Sequence, residues 1–403
     1  MKKLFLLILA ALLLLSGCAA PAAEPTQTPA AVPTQAPAQT PAQTEAPTAA
    51  PAETPSQEPQ GVYKTGSMEL EYANQFTVDY YSDGSRLVTI GEDKFLVLPE
   101  GAEPGFETDA VVIRRPLSTL YVASSAAVDL FICLDSLDKV RFTSTTLSNW
   151  ALPEMVEAMD NGSIIYAGKY SAPDFELLLT EKCPLAVENT MIYHSPAIKE
   201  QLETLDIPVI VEMSSYETHP LGRVEWIKFY GVLLGLEEEA DAFFKAQTAQ
   251  LADIRPLAGE TKTVAFFHIN TVGAAVVRKP GDYVSKMIQM AGGSYVPAEL
   301  LIEEENALST MNLQMEAFYY GAKDADILIY NSTIDGRIDT IEQLLGKSSL
   351  LADFKAVQNG DVWCTEQSMF QQSSASAGMI MDLNAIITGT AESDTLTFLH
   401  KLK

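Results

Sequence analysis

From about Val111 onward, short apolar strands alternate with helix-length segments, and this alternation limits the chain to parallel sheet covered by helices. The spacing predicts strands over Leu117–Val122, Lys139–Thr143, Leu185–Glu188 and Pro208–Glu212. Helices are predicted over Ala126–Leu134, Pro153–Met159 and Ser195–Leu205. The pattern restarts with strands over Thr263–Ile269, Ala274–Val277, Ile327–Asn331 and Asp361–Cys364. Helices over Asp282–Ala291, Ile338–Leu345 and Ala375–Ile387 go with them. Between the two runs, Arg223 to Ile254 carries Trp226, Ile227, Tyr230, Leu233, Leu234, Ala240, Phe243 and Phe244 at helical spacings. One helix of this length would be roughly 45 Å long and would cross from one lobe to the other. Ahead of the alternation, Phe76–Tyr81, Asp83-Gly84 and Arg86–Ile90 read as a β-hairpin, followed by a strand over Lys94–Leu98. The expected fold is α/β: two Rossmann-like lobes joined by a single long helix, with an N-terminal β-hairpin.

The first sixty residues are of another kind. Thirteen of the sixteen residues before Gly17-Cys18 are apolar, Lys2 and Lys3 lead them, and Leu15-Ser16-Gly17-Cys18 closes the run. This resembles a bacterial lipoprotein signal, which makes residues 1–17 a cleaved signal peptide and Cys18 the lipid-accepting residue, with palmitate among the expected acyl chains. Ala19 to Gln60 is almost entirely Ala, Pro, Thr, Gln and Glu, without Lys, Arg or an aromatic ring. Such a segment cannot bury a core and serves as a semi-stiff tether reaching at most about 3.1 Å per residue. The organisation expected is therefore 1–17 signal, 18–60 lipidated cysteine and tether, 61–222 N-terminal lobe, 223–254 linking helix and 255–403 C-terminal lobe. The folded part would work on the extracytoplasmic face of a cell membrane, held there by its lipid.

Charge narrows the partners. The chain has 26 basic and 53 acidic residues, a net −27, which argues against nucleic acid and anionic headgroups and permits a basic partner surface. Cys133, Cys183 and Cys364 form no C-x-x-C pattern and read as buried thiols. Lys64-Thr65-Gly66 and Ser136-Leu137-Asp138-Lys139 carry fragments of the penicillin-recognising serine-enzyme motifs in the wrong order, without S-D-N. Gly346-Lys347-Ser348 lacks the first glycine of a phosphate loop, since Ile341 stands there. With H-E-x-x-H and G-x-S-x-G absent as well, no enzymatic activity and no resident cofactor are expected.

Ala167-Gly168-Lys169-Tyr170-Ser171-Ala172-Pro173-Asp174-Phe175-Glu176 is similar to a Gly-x-Tyr-x-x-Pro-Asn-Leu-Glu stretch, and Ile207-Pro208-Val209-Ile210-Val211 to a strand-restart signature. Both belong to the periplasmic-binding family that serves ABC importers of iron-siderophore, haem and cobalamin complexes. The likeness runs over about residues 69–389. It implies a monomeric receptor that takes a large metal chelate or corrinoid into the interlobe cleft and delivers it to a permease dimer with its ATPase. It further implies that a glutamate on each lobe pairs with permease arginines. Glu176 matches the first position residue for residue, and Glu316 is the candidate for the second. A rigid linking helix implies small lobe motion on binding.

Ligands in such sheets sit beyond the carboxyl ends of the strands. The candidate contacts are accordingly Ser124, Ser125, Trp150, Tyr170, Tyr216, His219 and Arg223 from the first lobe. His268, Arg278, Tyr283 and Phe370 come from the second. Arg223 suits a carboxylate, a phosphate or a planar ligand, or else an ion pair with Glu217 or Glu225. His268 ends an apolar strand and suits either the core or a ligand. The four rings Tyr170, Tyr216, Tyr283 and Phe370 suit a large, partly planar cargo. The alternatives are a direct Zn²⁺ or Mn²⁺ receptor using His194, His219 and His268, and a surface enzyme.

Overall fold

The computed structural model describes residues 61–255, 259–298, 310–392 and 395–403. The signal, Cys18 and the tether lie outside the described residues. The folded part begins with β1 (Lys64–Ser67), β2 (Phe76–Tyr81), β3 (Arg86–Ile90), β4 (Asp93–Leu98) and β5 (Val111–Arg114). These form one five-stranded sheet in sequence order, antiparallel except for the β4–β5 pair. The expected hairpin is present as β2–β3, turning at Gly84 with φ of 83°. It is the centre of a sheet, because β1 and β5 are short half-exposed strands with little alternation to read.

The first βα run then builds β6 (Leu120–Val122), α1 (Ser125–Cys133), β7 (Val140–Thr143), α2 (Pro153–Asp160) and β8 (Ile165–Tyr166). A two-residue pair, β9 (Gly168–Lys169) and β10 (Ala172–Pro173), precedes α3 (Phe175–Thr180). β11 (Ala186–Asn189), α4 (Pro196–Thr204) and β12 (Val209–Glu212) complete it. The sheet order β12-β11-β6-β7-β8 is parallel throughout, so its strands all end at one edge. Alternate residues feed two cores: Val122, Val187 and Ile210 face α1 and the N-terminal sheet, whereas Tyr121, Ala186 and Val211 face α3 and α4.

The segment expected as one helix is α5 (Pro220–Glu225), α6 (Ile227–Leu234) and α7 (Glu237–Ala249), followed by a 3₁₀ turn over Gln250–Asp253. The single long linking helix is thus corrected. Gly235 ends α6 in the left-handed region at φ of 76°, and α7 folds back against α6. Gly231 permits the approach: a Cβ there would meet Leu236 O at 2.9 Å and Ala240 Cβ at 2.7 Å. The apolar spacing that suggested a continuous helix arises because both helices bury a stripe in the same core, with Tyr230 on one and Phe244 on the other.

Two acids weld this link to the N-terminal segment. Glu225 accepts the backbone N–H of Glu71, Tyr72 and Ala73, each at 2.8 Å, and the Lys228 ammonium at 2.9 Å. Glu217 accepts from Asn74 and Gln75 N–H and from Trp226 Nε1, all at 3.0 Å. Neither is free to pair with Arg223.

The second run comprises β13 (Thr263–Ile269), β14 (Ala275–Arg278), α8 (Tyr283–Met290), β15 (Ser294–Val296), β16 (Thr310–Leu313) and α9 (Met315–Ala322). It continues through β17 (Ile327–Tyr330), α10 (Ser332–Asp335), α11 (Ile341–Lys347), α12 (Lys355–Asn359), β18 (Val362–Thr365), α13 (Ser376–Thr388) and β19 (Leu399–Lys401). Here the sheet is mixed. β15, β13, β17 and β18 are parallel, while β14, β16 and β19 add antiparallel pairs at the flanks. Among the described residues Cys133, Cys183 and Cys364 are free thiols, and burial pushes each thiol pKa up.

Candidate functional site: the interlobe cleft

The carboxyl ends of the two parallel strand sets supply one cleft of about 500 Å³. Ser125 follows β6, Ser148 to Ala151 follow β7, Thr333 follows β17, and Gln367, Phe370 and Gln371 follow β18. A second hollow, about 570 Å³, is lined by Arg337, Glu366 and His400 on the C-terminal lobe alone. The cleft fed by both lobes is the one in which the fold concentrates loop chemistry.

Its two sides touch through specific hydrogen bonds. The Gln371 carboxamide accepts the Ala151 N–H at 2.8 Å and donates to Asn149 O at 2.7 Å, so one side chain satisfies two backbone groups of the opposite lobe. Deeper in, Ser374 N–H donates to Asp129 on α1 at 2.8 Å. Burial raises the Asp129 pKa to about 6, with the Ser374 hydrogen bond pulling the other way.

The C-terminal wall carries a stack of cations and rings. Arg278 lies 5.2 Å from the Phe370 centroid and 5.9 Å from those of Tyr283 and Phe266. Its charge is held by Asp282, 3.5 Å away, which also caps α8 through Val284 N–H at 2.8 Å. Arg223 lies on Tyr283, 4.2 Å from its centroid. The N-terminal wall is neutral in character. Trp150 donates its indole N–H to Thr145 O at 3.2 Å and turns its ring toward the cleft. Beneath it Glu212 accepts Ser214 N–H at 2.8 Å and the Ser124 hydroxyl at 3.3 Å, and burial raises its pKa.

The residues singled out from sequence thus divide. Ser125, Trp150 and Phe370 line the cleft. Arg278 stacks on Phe370, and Arg223 and Tyr283 line a smaller cavity that shares Phe370. His268 sits at the end of β13, its pKa lowered by burial and then by Arg278. Ser124 is buried on Glu212 and does not line the cleft. His219 caps α5, its Nδ1 accepting Leu221 N–H at 3.2 Å, and stacks on Tyr72 with centroids 4.4 Å apart. Tyr170 packs against the core on the α3 face, and Tyr216 is exposed on a 3₁₀ turn. His219 serves as a helix cap, a polar side chain just before a proline-led helix, and neither it nor Tyr170 lines the cleft. Asn149 and Ala151 were not singled out, because both act through backbone groups, which side-chain chemistry does not announce.

Glu176 and Glu316 occupy equivalent places. Each is exposed in the first turn of a short helix, α3 and α9, one on each lobe. Asp174 caps α3 by accepting Leu177 N–H at 3.0 Å.

No family model matches the chain. Two uncharacterized lipoproteins of Methanocaldococcus jannaschii are each 24% identical to it. One aligns over 79% of this chain and 81% of its own length, the other over 84% and 88%. Among solved structures, a periplasmic binding protein from Veillonella parvula superposes with a TM-score of 0.57 at 16% identity, covering 76% of this chain and 98% of that one. A periplasmic heme-binding protein of Vibrio cholerae gives 0.54 at 17% identity over 66% and 98%. One from Pseudomonas aeruginosa gives 0.53 at 16% over 71% and 99%. The fold is therefore that of the periplasmic binding proteins, as the sequence resemblance implied.

Proposed function

We propose that this chain is the lipid-anchored, extracytoplasmic substrate-binding protein of an ABC importer, and that its cargo is a large complex of the iron-siderophore, haem or corrinoid kind. The observation that carries the reading is the cleft itself. It lies at the carboxyl ends of two parallel strand sets and has Trp150 on one wall and Phe370 with Arg278 on the other. Opposed rings suit a partly planar cargo, and a guanidinium over one ring suits an anionic edge on it. The heme-binding structural neighbours and the lipoprotein relatives support the reading from outside the chain. Among the described residues no three His, Cys, Asp or Glu side chains gather as a metal-ligand set, so the site favours a cargo that brings its own chelator over bare Zn²⁺ or Mn²⁺. Cys18 would hold the protein at the membrane, and the tether would let it reach the permease. Glu176 and Glu316 would set the docking register against permease arginines.

The test is a thermal-shift panel on the full chain with ferric catecholates, ferric hydroxamates, haem, cobalamin, Zn²⁺ and Mn²⁺. A ligand at 100 times its dissociation constant stabilises by about 2.7 kcal/mol, a rise of a few degrees. One chelate class is expected to act and the free metals not. A selective response to Zn²⁺ or Mn²⁺ would replace this reading with the direct metal receptor.

A further inference from the structure

A cavity of about 10 Å³ that shares Phe370 with the cleft is lined by Arg223, Tyr283, Phe370, Ser373, Ser376 and Met379, among others. That is room for one water-sized particle. Two buried polar atoms in its lining, Arg223 Nη1 and Ser373 Oγ, have no hydrogen-bond partner among the described residues. Ser373 is 4% exposed. The cavity lies against the first turn of the thirteen-residue helix α13, which continues from the 3₁₀ turn Ser373–Ala375 and carries no side-chain cap at Ala375. A guanidinium and a hydroxyl therefore share one small space.

The neighbouring acids are engaged elsewhere. Asp282 accepts from Arg278 and Val284 N–H, Glu212 from Ser214 N–H and Ser124, and Asp129 from Ser374 N–H. Glu212 and Asp282 lie within electrostatic reach of Arg223, and burial raises the pKa of each, which weakens the counter-charge they supply. A buried donor without an acceptor is costly, and a guanidinium N–H beside a hydroxyl selects an acceptor carrying negative charge.

We infer that this cavity is a binding site for a single small inorganic monoanion of the halide class. The anion would be held by Arg223 Nη1 and Ser373 Oγ. It would join the link, through α5, to the second lobe behind the cargo wall. The inference rests on the empty protein and does not depend on which cargo the cleft takes.

The experiment places the full chain in sodium gluconate and replaces gluconate with bromide or chloride at constant ionic strength. Melting is followed, and bromide is located in crystals by its anomalous signal. A saturable rise of about 2 °C or more is expected, with an anomalous peak between Arg223 Nη1 and Ser373 Oγ. Ser373→Ala should raise the half-saturating bromide concentration about tenfold, which corresponds to roughly 1.4 kcal/mol. Should that variant not fold, Ser376→Ala and the wild-type peak carry the test. Equal melting in gluconate and bromide, with no anomalous peak at the site, would mean an internal water only and would overturn the inference.

Discussion

Glu225 and Glu188 are both fully buried acids of the N-terminal half, yet the chain treats them in opposite ways. Glu225 has four donors, three backbone N–H groups and the Lys228 ammonium, and by holding them it fixes the segment 71–73 to the link. Glu188, in the middle of the parallel sheet on the α3 face, has no partner for either oxygen among the described residues, and burial pushes its pKa up to about 8. The first is a paired charge that organises backbone. The second is kept as a neutral acid inside an apolar layer with Tyr121, whose hydroxyl is also unpartnered. In the cleft, burial raises the pKa of Glu212 and Asp129 on one side and of Asp282 on the other, and only Asp282 has a guanidinium, that of Arg278, beside it at 3.5 Å.

Substitutions separate the two arrangements. The largest effect should come from Trp150→Ala, which empties the neutral wall of a buried ring. It is expected to cost about 3–5 kcal/mol in urea unfolding. Phe370→Ala on the charged wall should instead leave folding intact and weaken cargo binding about 30-fold or more, near 2 kcal/mol, in a titration. If Trp150→Ala and Phe370→Ala had the same profile, the two walls would not differ as described.

Glu188→Gln tests the neutral acid directly. A carboxyl whose folded pKa is raised stabilises fully below its unfolded value of 4.5, and that contribution is lost as pH rises toward about 8. Wild-type stability should therefore fall across this window, and the variant should flatten the fall, being more stable by about 2 kcal/mol at pH 8. Parallel wild-type and variant curves would show that Glu188 ionises without penalty. Asp129 and Asp382, each raised by burial to about 6, add a decline between pH 4 and 6 that this substitution leaves in place.

Smaller effects are expected at the seam and the surface. Gln371→Ala removes both interlobe hydrogen bonds to the loop after β7 and should cost about 1 kcal/mol, seen also as faster hydrogen exchange at Ala151 N–H. Glu176→Ala and Glu316→Ala should leave cargo affinity and stability unchanged, each within about 0–1 kcal/mol, while lowering uptake by the assembled transporter. Altered cargo affinity in either would move these acids from docking to the cleft.

Much of the fold was legible from residue pattern. The strand over Thr263–Ile269 has the expected bounds, the helix Pro153–Asp160 differs by one residue at one end, and the closing helix Ser376–Thr388 differs by one at each end. What escaped reading has physical causes. β5 and β19 are short flanking strands of four and three residues with little alternation to read. The break at Gly235 depends on a close approach between helices that only the folded chain displays. Site chemistry was less legible. Arg223 and Arg278 stood out as charges, but their partners Tyr283 and Phe370 are set by tertiary packing, and His219 drew notice for its ring while its work is a helix cap.

The account stands or falls on what the cleft holds, and a crystal structure of the chain with the cargo class chosen by thermal shift would decide it. The account predicts the cargo against Trp150 and Phe370, its anionic edge toward Arg278, with the two lobes in nearly the same relation as without it. Cargo seated elsewhere with both rings untouched, or lobes rotated by tens of degrees, would contradict it.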